Sequence, residues 1–124
     1  MNTKNTNITE KTRTIEVVTA MVGEDLKAVT LENSLESFHN ILGGSVDVIE
    51  LCNDISVYIN GDGMADGSRG NFIILNEKNI PESVVAGNAF FASRDEQGNI
   101  TGLSDQQVEI ICDWFIDNKL MRLG

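Results

Sequence analysis

The chain has 124 residues, a formal net charge of −10 at pH 7, 41% hydrophobic residues, two cysteines and one histidine. Its length fits one domain, and its apolar runs are far shorter than the roughly 20 residues that a membrane-spanning helix needs. The negative charge opposes binding to nucleic-acid polymers, which depends on neutralising their phosphates, but it allows a small phosphorylated ligand held by a few donors.

The N-terminal residues differ in composition from the rest of the chain. Residues 1–12 are polar and lack the apolar segment of a secretory signal, so we interpret them as a flexible polar tail before a single domain, residues 13–124. Cys52 and Cys112 fall in segments predicted as a core strand and a core helix. We expect both to be small buried apolar groups rather than a disulfide, as in a reducing cytoplasm.

The first third of the chain predicts a hairpin followed by a helix. Thr14–Thr19 alternates β-branched residues and is predicted as a strand, with Leu26–Leu31 as its hairpin partner. Asn33 and Glu36 have the spacing of a capping box, which predicts that a helix begins at Asn33. Apolar residues then recur at helical spacing until Gly43-Gly44 ends the helix.

The middle of the chain predicts a second pair of strands and an irregular segment. Ser45–Cys52 and Ile55–Ile59 are predicted strands, and Asn53-Asp54 between them suits a tight turn because both residues tolerate positive φ. Asn60–Gly70 contains four glycines and predicts no regular structure. Phe72–Leu75 is predicted as a short buried strand.

The last third predicts a strand and a second helix. Asn76–Ser83 is predicted as a turn, Val84–Ser93 as one strand interrupted by a bulge at Gly87-Asn88, and Arg94–Asn99 as a turn. Ser104-x-x-Gln107 predicts the N-cap of a helix. The apolar arc of that helix is wide, so it either lies deep in the fold or meets another subunit, and we favour the second alternative. The whole pattern predicts an α+β fold, an antiparallel sheet with two helices.

Residue types suited to catalysis are sparse. His39 lies inside the first predicted helix, no G-x-S-x-G elbow occurs, and neither cysteine has a neighbouring activator. The carboxylate pairs fall in predicted caps, turns or helix faces, where solvated charge explains them. The stretch Asn60–Gly67 resembles half a calcium loop, but Met64 and Ala65 replace a ligand and the turn glycine. We therefore expect a non-enzymatic protein with no catalytic residues, no metal site and no cofactor.

Two short segments have a composition suited to a nucleotide. Ser68–Phe72 and Gly87–Arg94 each combine a guanidinium and an amide with an aromatic ring beside a glycine. Such a set can stack on a purine, hydrogen-bond its edge and pair with a phosphate. A solvated loop arginine, core phenylalanines and an asparagine in a bulge would account for the same residues. That structural interpretation is favoured for most of them, with one or two expected to bind a ligand.

Four segments of the chain resemble a family of short phage and prophage proteins known as a domain of unknown function. They are the first hairpin followed by LENSLESFHNILGGSVDVIEL, the glycine-rich NGDGMADG, the strand VVAGNAFFA and the closing GLSDQQVEIICDWF. Within that family, from Thr14 to Lys119, the chain is most similar to the type 1 Thoeris anti-defence proteins. These are sponges that sequester the cyclic ADP-ribose signals of bacterial TIR enzymes without cleaving them.

The resemblance implies a protein of the host bacterial cytoplasm that binds a glycocyclic ADP-ribose type of signal. It implies a dimer, or a dimer-based higher oligomer such as a hexamer, with ligand recesses between subunits and, in some members, a separate site for cyclic oligonucleotides. Arg69 and Arg94 would contact phosphates, Phe72 would stack on a ring, and Asn71 would hydrogen-bond a base or ribose. The implied ligand-binding residues are Arg69, Asn71, Phe72, Asn88, Phe90 and Arg94.

The chain departs from many family members just before Arg69, where residues 66–68 read Asp-Gly-Ser instead of a proline-rich turn. A different class of function also fits the composition. An acidic phage protein of this charge can inhibit a host protein by direct contact, although its acids are scattered rather than arrayed like the phosphates of a nucleic acid.

Overall fold

The computed structural model describes residues 13–63 and 67–123. The predicted tail, residues 1–12, and the centre of the glycine-rich segment, residues 64–66, lie outside the described residues. The helices are α1 (Leu35–Leu42) and α2 (Asp105–Ile116). The strands are β1 (Thr14–Ala20), β2 (Lys27–Glu32), β3 (Val46–Glu50), β4 (Ile55–Asn60), β5 (Gly70–Leu75), β6 (Pro81–Ala86), β7 (Ala89–Arg94), β8 (Ile100–Thr101) and β9 (Leu120–Arg122).

The strands form two antiparallel sheets. The large sheet has the order β2-β1-β7-β4-β3, with β8 paired to the end of β7. The small sheet has the order β6-β5-β9. The predicted α+β class with antiparallel strands and two helices is therefore confirmed, but the strands divide between two sheets. No helix within the described ranges is long and apolar enough to cross a membrane.

Both predicted hairpins of the large sheet are present. β1 pairs with β2 in an unbroken register from Thr14↔Glu32 to Thr19↔Lys27. β3 pairs with β4, and the turn between them holds Asn53 and Asp54 at φ 61° and 60°. Two successive positive φ values give the tight turn the twist that an antiparallel pair needs, as the Asn-Asp sequence predicts.

The large sheet is buried on both faces. On one face, Phe38 and Leu42 of α1 pack against Tyr58 and Phe90. On the other face, the small sheet and α2 enclose a second cluster around Phe91. The central strand β7 shows the result, because its residues from Ala89 to Ser93 are all buried and the first four alternate between the two clusters.

The segment Val84–Ser93 is two strands instead of the one strand predicted. Gly87 has φ +85°, a value that residues with a side chain rarely adopt. There the chain leaves β6 of the small sheet and enters β7 of the large sheet. Pro81 is the first residue of β6 rather than part of the turn, a position where a strand tolerates proline. The short strands β8 and β9 were not predicted, since two or three residues carry no detectable alternation.

The predicted helix ends are partly right. Ser104 and Gln107 form the capping box of α2 as expected. At α1 the N-cap is Ser34, whose hydroxyl accepts from the Ser37 main-chain N–H, and not Asn33. Asn33 instead donates its side-chain amide to the Ile100 carbonyl, 3.3 Å away, and so ties β8 to the start of the helix.

One expectation about apolar burial needs correction, and the contact of α2 with another subunit stays a prediction. Cys52 and Cys112 are both exposed free cysteines, because Cys52 follows β3 at the turn and Cys112 lies on the exposed side of α2. In α2, the buried Ile111 and the half-buried neighbours around it pack against the protein's own core, which accounts for most of the wide apolar arc. Ile116 remains 73% exposed.

Candidate functional site

The two ends of β5 carry different kinds of site. At its start, polar side chains gather where the chain passes from β6 to β7. We call this the Gly87 junction and define it by Arg69, Asn71, Gly87, Asn88 and Arg122. At its other end an open cleft lies beside Trp114, between the β5–β6 hairpin, the β3–β4 turn and the end of α2. We call this the Trp114 cleft.

The Gly87 junction is held by side chains that bond to main-chain groups. Asn71 is 1% exposed, and its side-chain amide donates to the carbonyls of Ala20 at 2.7 Å and Gly87 at 2.8 Å. The Gly87 N–H donates to the Arg69 carbonyl at 2.8 Å. Asn88 accepts from the Val22 N–H at 2.9 Å. The structure therefore brings three of the predicted residues together, with Asn71 and Asn88 engaged by the protein itself.

Arg122 is the residue of this junction that the sequence did not indicate. Its guanidinium Nη2 donates to the carbonyls of Met21 and Glu24, each at 2.9 Å, and fastens the β1–β2 turn to the small sheet. A three-residue strand near the end of the chain offers no pattern that would have singled it out. Arg69, by contrast, is exposed, so of the predicted residues it has the side chain most open to a ligand.

The two phenylalanines predicted to contact a ligand are in the core. Phe72 and Phe90 are each 0% exposed. Phe72 stacks on Phe91, with ring centroids 5.9 Å apart, while Phe90 stacks on Tyr58 at 5.0 Å. They belong to clusters on opposite faces of the large sheet, so they do not face one recess. In this conformation neither ring offers a face to a ligand.

Arg94 lies away from the junction, at the far end of β7. Its guanidinium Nη1 donates to the Ile55 carbonyl at 2.6 Å and to the Ser56 hydroxyl at 2.9 Å. Its Nη2 donates to the Leu51 carbonyl at 2.9 Å. These bonds hold the β3–β4 turn, and a phosphate would have to compete with them for the guanidinium.

The Trp114 cleft is an open concavity with a volume of about 720 Å³. The Trp114 indole is half-buried on its wall, and the buried Ile74 and Leu120 contribute to the lining. Two exposed lysines, Lys78 and Lys119, also line it. An aromatic ring beside cationic side chains is also what the sequence predicts around Phe72 and Phe90.

Hydrogen bonds of the main chain hold the segments that carry both lysines. The Lys119 N–H donates to the Trp114 carbonyl at 2.8 Å, directly after α2. Lys78 lies in the β5–β6 turn, where the Asn76 side-chain oxygen accepts from the N–H groups of Lys78 at 2.8 Å and Ile80 at 3.1 Å. Such an asparagine turn keeps the loop in one conformation. The cleft is therefore bounded by ordered main chain.

The charge of the cleft differs from that of the whole protein. Glu77 and Glu82 also line it, so two lysines balance two glutamates where the chain as a whole carries −10. An anion meets less repulsion there than over an average part of the surface. Among residues 13–63 and 67–123, no group of three or more His, Cys, Asp and Glu residues is placed to hold a metal ion.

Comparison with known proteins gives one match. The sequence profile of a domain of unknown function, DUF3846, matches residues 13–116. No curated protein and no solved structure matches the chain at a significant level. Because the profile covers most of the 124 residues, the chain belongs to the DUF3846 family.

Proposed function

We propose that this protein binds and sequesters a cyclic ADP-ribose isomer made by a bacterial TIR enzyme, and so inhibits Thoeris anti-phage defence in the host cytoplasm. Two observations support the proposal. The four sequence segments resemble type 1 Thoeris anti-defence proteins, and membership in a family of unknown function is consistent with the wider family of that resemblance. The structural observation that carries it is the Trp114 cleft.

The chemistry of the cleft suits a nucleotide with a pyrophosphate. Its volume of about 720 Å³ falls in the range of about 300–1,000 Å³ that is usual for small-molecule sites. The Trp114 indole supplies a flat apolar surface for an adenine base. The ammonium groups of Lys78 and Lys119 each supply three donors and a positive charge for the phosphates.

A protein that only sequesters its ligand needs affinity and copy number but no turnover. It works by mass action, holding the free signal below the concentration that activates the defence. The function therefore needs no catalytic side chain. The same resemblance implies a separate site for cyclic oligonucleotides, and we propose these as a second class of ligand.

The Gly87 junction is a second location for the same ligand. The exposed guanidinium of Arg69 can contact a phosphate without breaking any bond of the fold, whereas Asn71 and Asn88 would have to give up main-chain partners. The roles of these three residues remain predictions. Because the two locations lie at opposite ends of β5, single substitutions distinguish them.

We also propose that the protein assembles as a dimer or a dimer-based higher oligomer. On the outer face of the small sheet, Ile73 is directly opposite Val84 on one side and Met121 on the other. Val84 is 48% and Met121 40% exposed. An apolar row across an exposed sheet face favours association with another protein surface, and a second copy provides the same row.

This assembly has a direct test. Val84→Lys places a charge in the apolar row of the proposed interface and is expected to reduce the mass in solution to that of one chain, measured by light scattering. Leu35→Lys, which changes another exposed apolar residue, 62% exposed on α1, is the matched control and should leave the mass unchanged. A wild-type protein that is already monomeric would contradict the proposed assembly.

The function itself is tested by binding followed by recovery. The purified protein is titrated calorimetrically with cyclic ADP-ribose isomers, then denatured, and the released ligand is analysed. Tight binding with intact ligand supports sequestration. Cleaved ligand would make the protein an enzyme, and no heat with any isomer would reject the proposed ligand.

A second candidate function is inhibition of a host protein by direct contact. The exposed apolar row on the small sheet favours contact with another protein, and the charge of −10 favours a basic one. It predicts that Val84→Lys abolishes inhibition of the defence. The variant would bind cyclic ADP-ribose isomers as the wild type does, or neither protein would bind them.

A further inference from the structure

Two buried polar atoms of the Gly87 junction have no hydrogen-bond partner among residues 13–63 and 67–123. They are Oδ1 of Asn71, an acceptor, and Nε of Arg122, a donor. Buried polar atoms in folded proteins are almost always paired, with protein groups or with ordered water. An orphaned acceptor and an orphaned donor in the same small region therefore indicate a missing polar molecule.

The orientation of the Asn71 amide is fixed by its other end. Its nitrogen donates to two carbonyls, those of Ala20 and Gly87. Turning the amide by 180° would aim its oxygen at both carbonyl oxygens, which have no proton to donate. Oδ1 therefore points away from these carbonyls and requires a hydrogen-bond donor.

The Arg122 side chain reaches the same place from the neighbouring strand. Arg122 is directly opposite Phe72, the residue after Asn71, and the Leu123 N–H donates to the Asn71 carbonyl at 2.8 Å. Asn71 binds the carbonyl of Ala20 while Arg122 binds that of the next residue, Met21. Both side chains therefore converge on the end of β1.

We infer that one water molecule is bound at the Gly87 junction, donating to Asn71 Oδ1 and accepting from Arg122 Nε. A buried water usually makes about three hydrogen bonds. The second proton has acceptors at hand, because each main-chain carbonyl has two lone pairs and those of Glu24 and Gly87, which accept from Arg122 and Asn71, lie in this junction. The water would link the large sheet, the small sheet and the β1–β2 turn.

The first test is a high-resolution crystal structure of the full chain. The expected result is a single peak of electron density at about 2.7–3.2 Å from both Asn71 Oδ1 and Arg122 Nε. Absence of such a peak, or a direct hydrogen bond from another protein group to Oδ1, would overturn the inference. This outcome is independent of whether the protein binds a cyclic nucleotide.

The second test works in solution. Magnetisation transfer from water to the side-chain amide protons of Asn71 is expected in the wild-type protein, since a held water stays close to them. Arg122→Lys keeps the charge but removes Nε, and should reduce this transfer. The other amide signals should show that the variant is still folded. The control is Arg13→Lys, which changes an exposed arginine outside the junction and should leave the transfer intact. Equal transfer in all three proteins would contradict a water held by Arg122.

Discussion

The Gly87 junction and the Trp114 cleft lie at opposite ends of β5 and use their polar residues in opposite ways. At the junction, the amide of Asn71 and the guanidinium of Arg122 bind main-chain carbonyls of the protein itself. In the cleft, Lys78 and Lys119 are exposed beside a half-buried indole. At the junction, amide and guanidinium groups of the kind that bind nucleotides therefore stabilise the fold. In the cleft, an aromatic ring and cationic groups remain open to a ligand.

The difference has a physical cause in the path of the chain. Where β6 becomes β7, the strand leaves one sheet for another, and main-chain groups near Gly87 and Ala20 lose the neighbours that a continuous ladder would supply. Buried carbonyls need donors, and side-chain amides and guanidinium groups can supply them. The cleft is lined where β5 and β6 are still paired with each other, so the strands supply most partners of the main chain there.

The largest expected effect breaks the junction. Asn71→Leu leaves the buried carbonyls of Ala20 and Gly87 without donors, and should lower the free energy of unfolding by about 2–4 kcal/mol. Urea denaturation measures the change. Asn40→Leu, the same substitution at an exposed position of α1, should stay within about 0.5 kcal/mol of wild type. Similar losses in both variants would contradict the structural role of Asn71.

The next effect belongs to the cleft. Trp114→Ala removes the stacking surface and should weaken binding of a cyclic ADP-ribose isomer by about 1–3 kcal/mol. Trp114→Phe keeps an aromatic ring and should retain most of the affinity, as measured by calorimetry. Unchanged binding in the alanine variant, with the fold intact, would move the site away from the cleft.

A smaller effect separates backbone strain from crowding. Gly87 and Gly98 have almost the same φ, +85° and +86°, but a Cβ on Gly87 would approach Ser68 to 3.3 Å whereas one on Gly98 would meet nothing within 4 Å. Alanine at either position pays about 1–2 kcal/mol for the left-handed conformation. Thermal denaturation should show a larger loss for Gly87→Ala than for Gly98→Ala, and equal losses would mean that Ser68 yields freely.

The smallest effect concerns pH and lies outside both regions. Hydrogen bonds from Asn99, Gln97 and Gly98, with the Asn99 N–H contributing most, lower the pKa of Asp95 below 3.8. A carboxyl whose pKa is lower in the folded state stabilises the protein above its unfolded pKa, and this contribution is lost as pH falls through the folded value. Asp95→Asn should therefore flatten the decline of melting temperature in acid. If the melting temperature of the variant fell in acid as steeply as that of the wild type, the Asp95 carboxylate would not be a source of the decline.

The sequence predicted the elements better than their arrangement. Alternation in β1, the Asn53-Asp54 turn and the Ser104 cap are local features, and each is confirmed. The split at Gly87 was mistaken for a bulge because a positive φ has the same sequence signature in both cases. Which sheet each half of the segment joins depends on contacts far apart in the chain.

The candidate site shows the same limit. Arg69, Asn71 and Asn88 do lie together, but whether a phenylalanine or an asparagine faces a ligand depends on burial, and Phe72 and Phe90 are fully enclosed. Trp114 belongs to the wide apolar arc of the second predicted helix, and no local feature distinguishes it from the rest of that arc. Its proximity to Lys78 depends on the β5–β6 hairpin folding next to the end of α2, a long-range contact that no local pattern encodes.

The most direct measurement is calorimetric titration of the wild-type protein, Trp114→Ala and Arg69→Ala with cyclic ADP-ribose isomers, with Lys27→Ala as a control for loss of an exposed cation. We predict tight binding of one isomer by the wild type and the control, and clearly weaker binding by Trp114→Ala. Loss of binding in Arg69→Ala alone would place the ligand at the Gly87 junction instead. No binding of any isomer by the wild-type protein would contradict the sequestration of this signal.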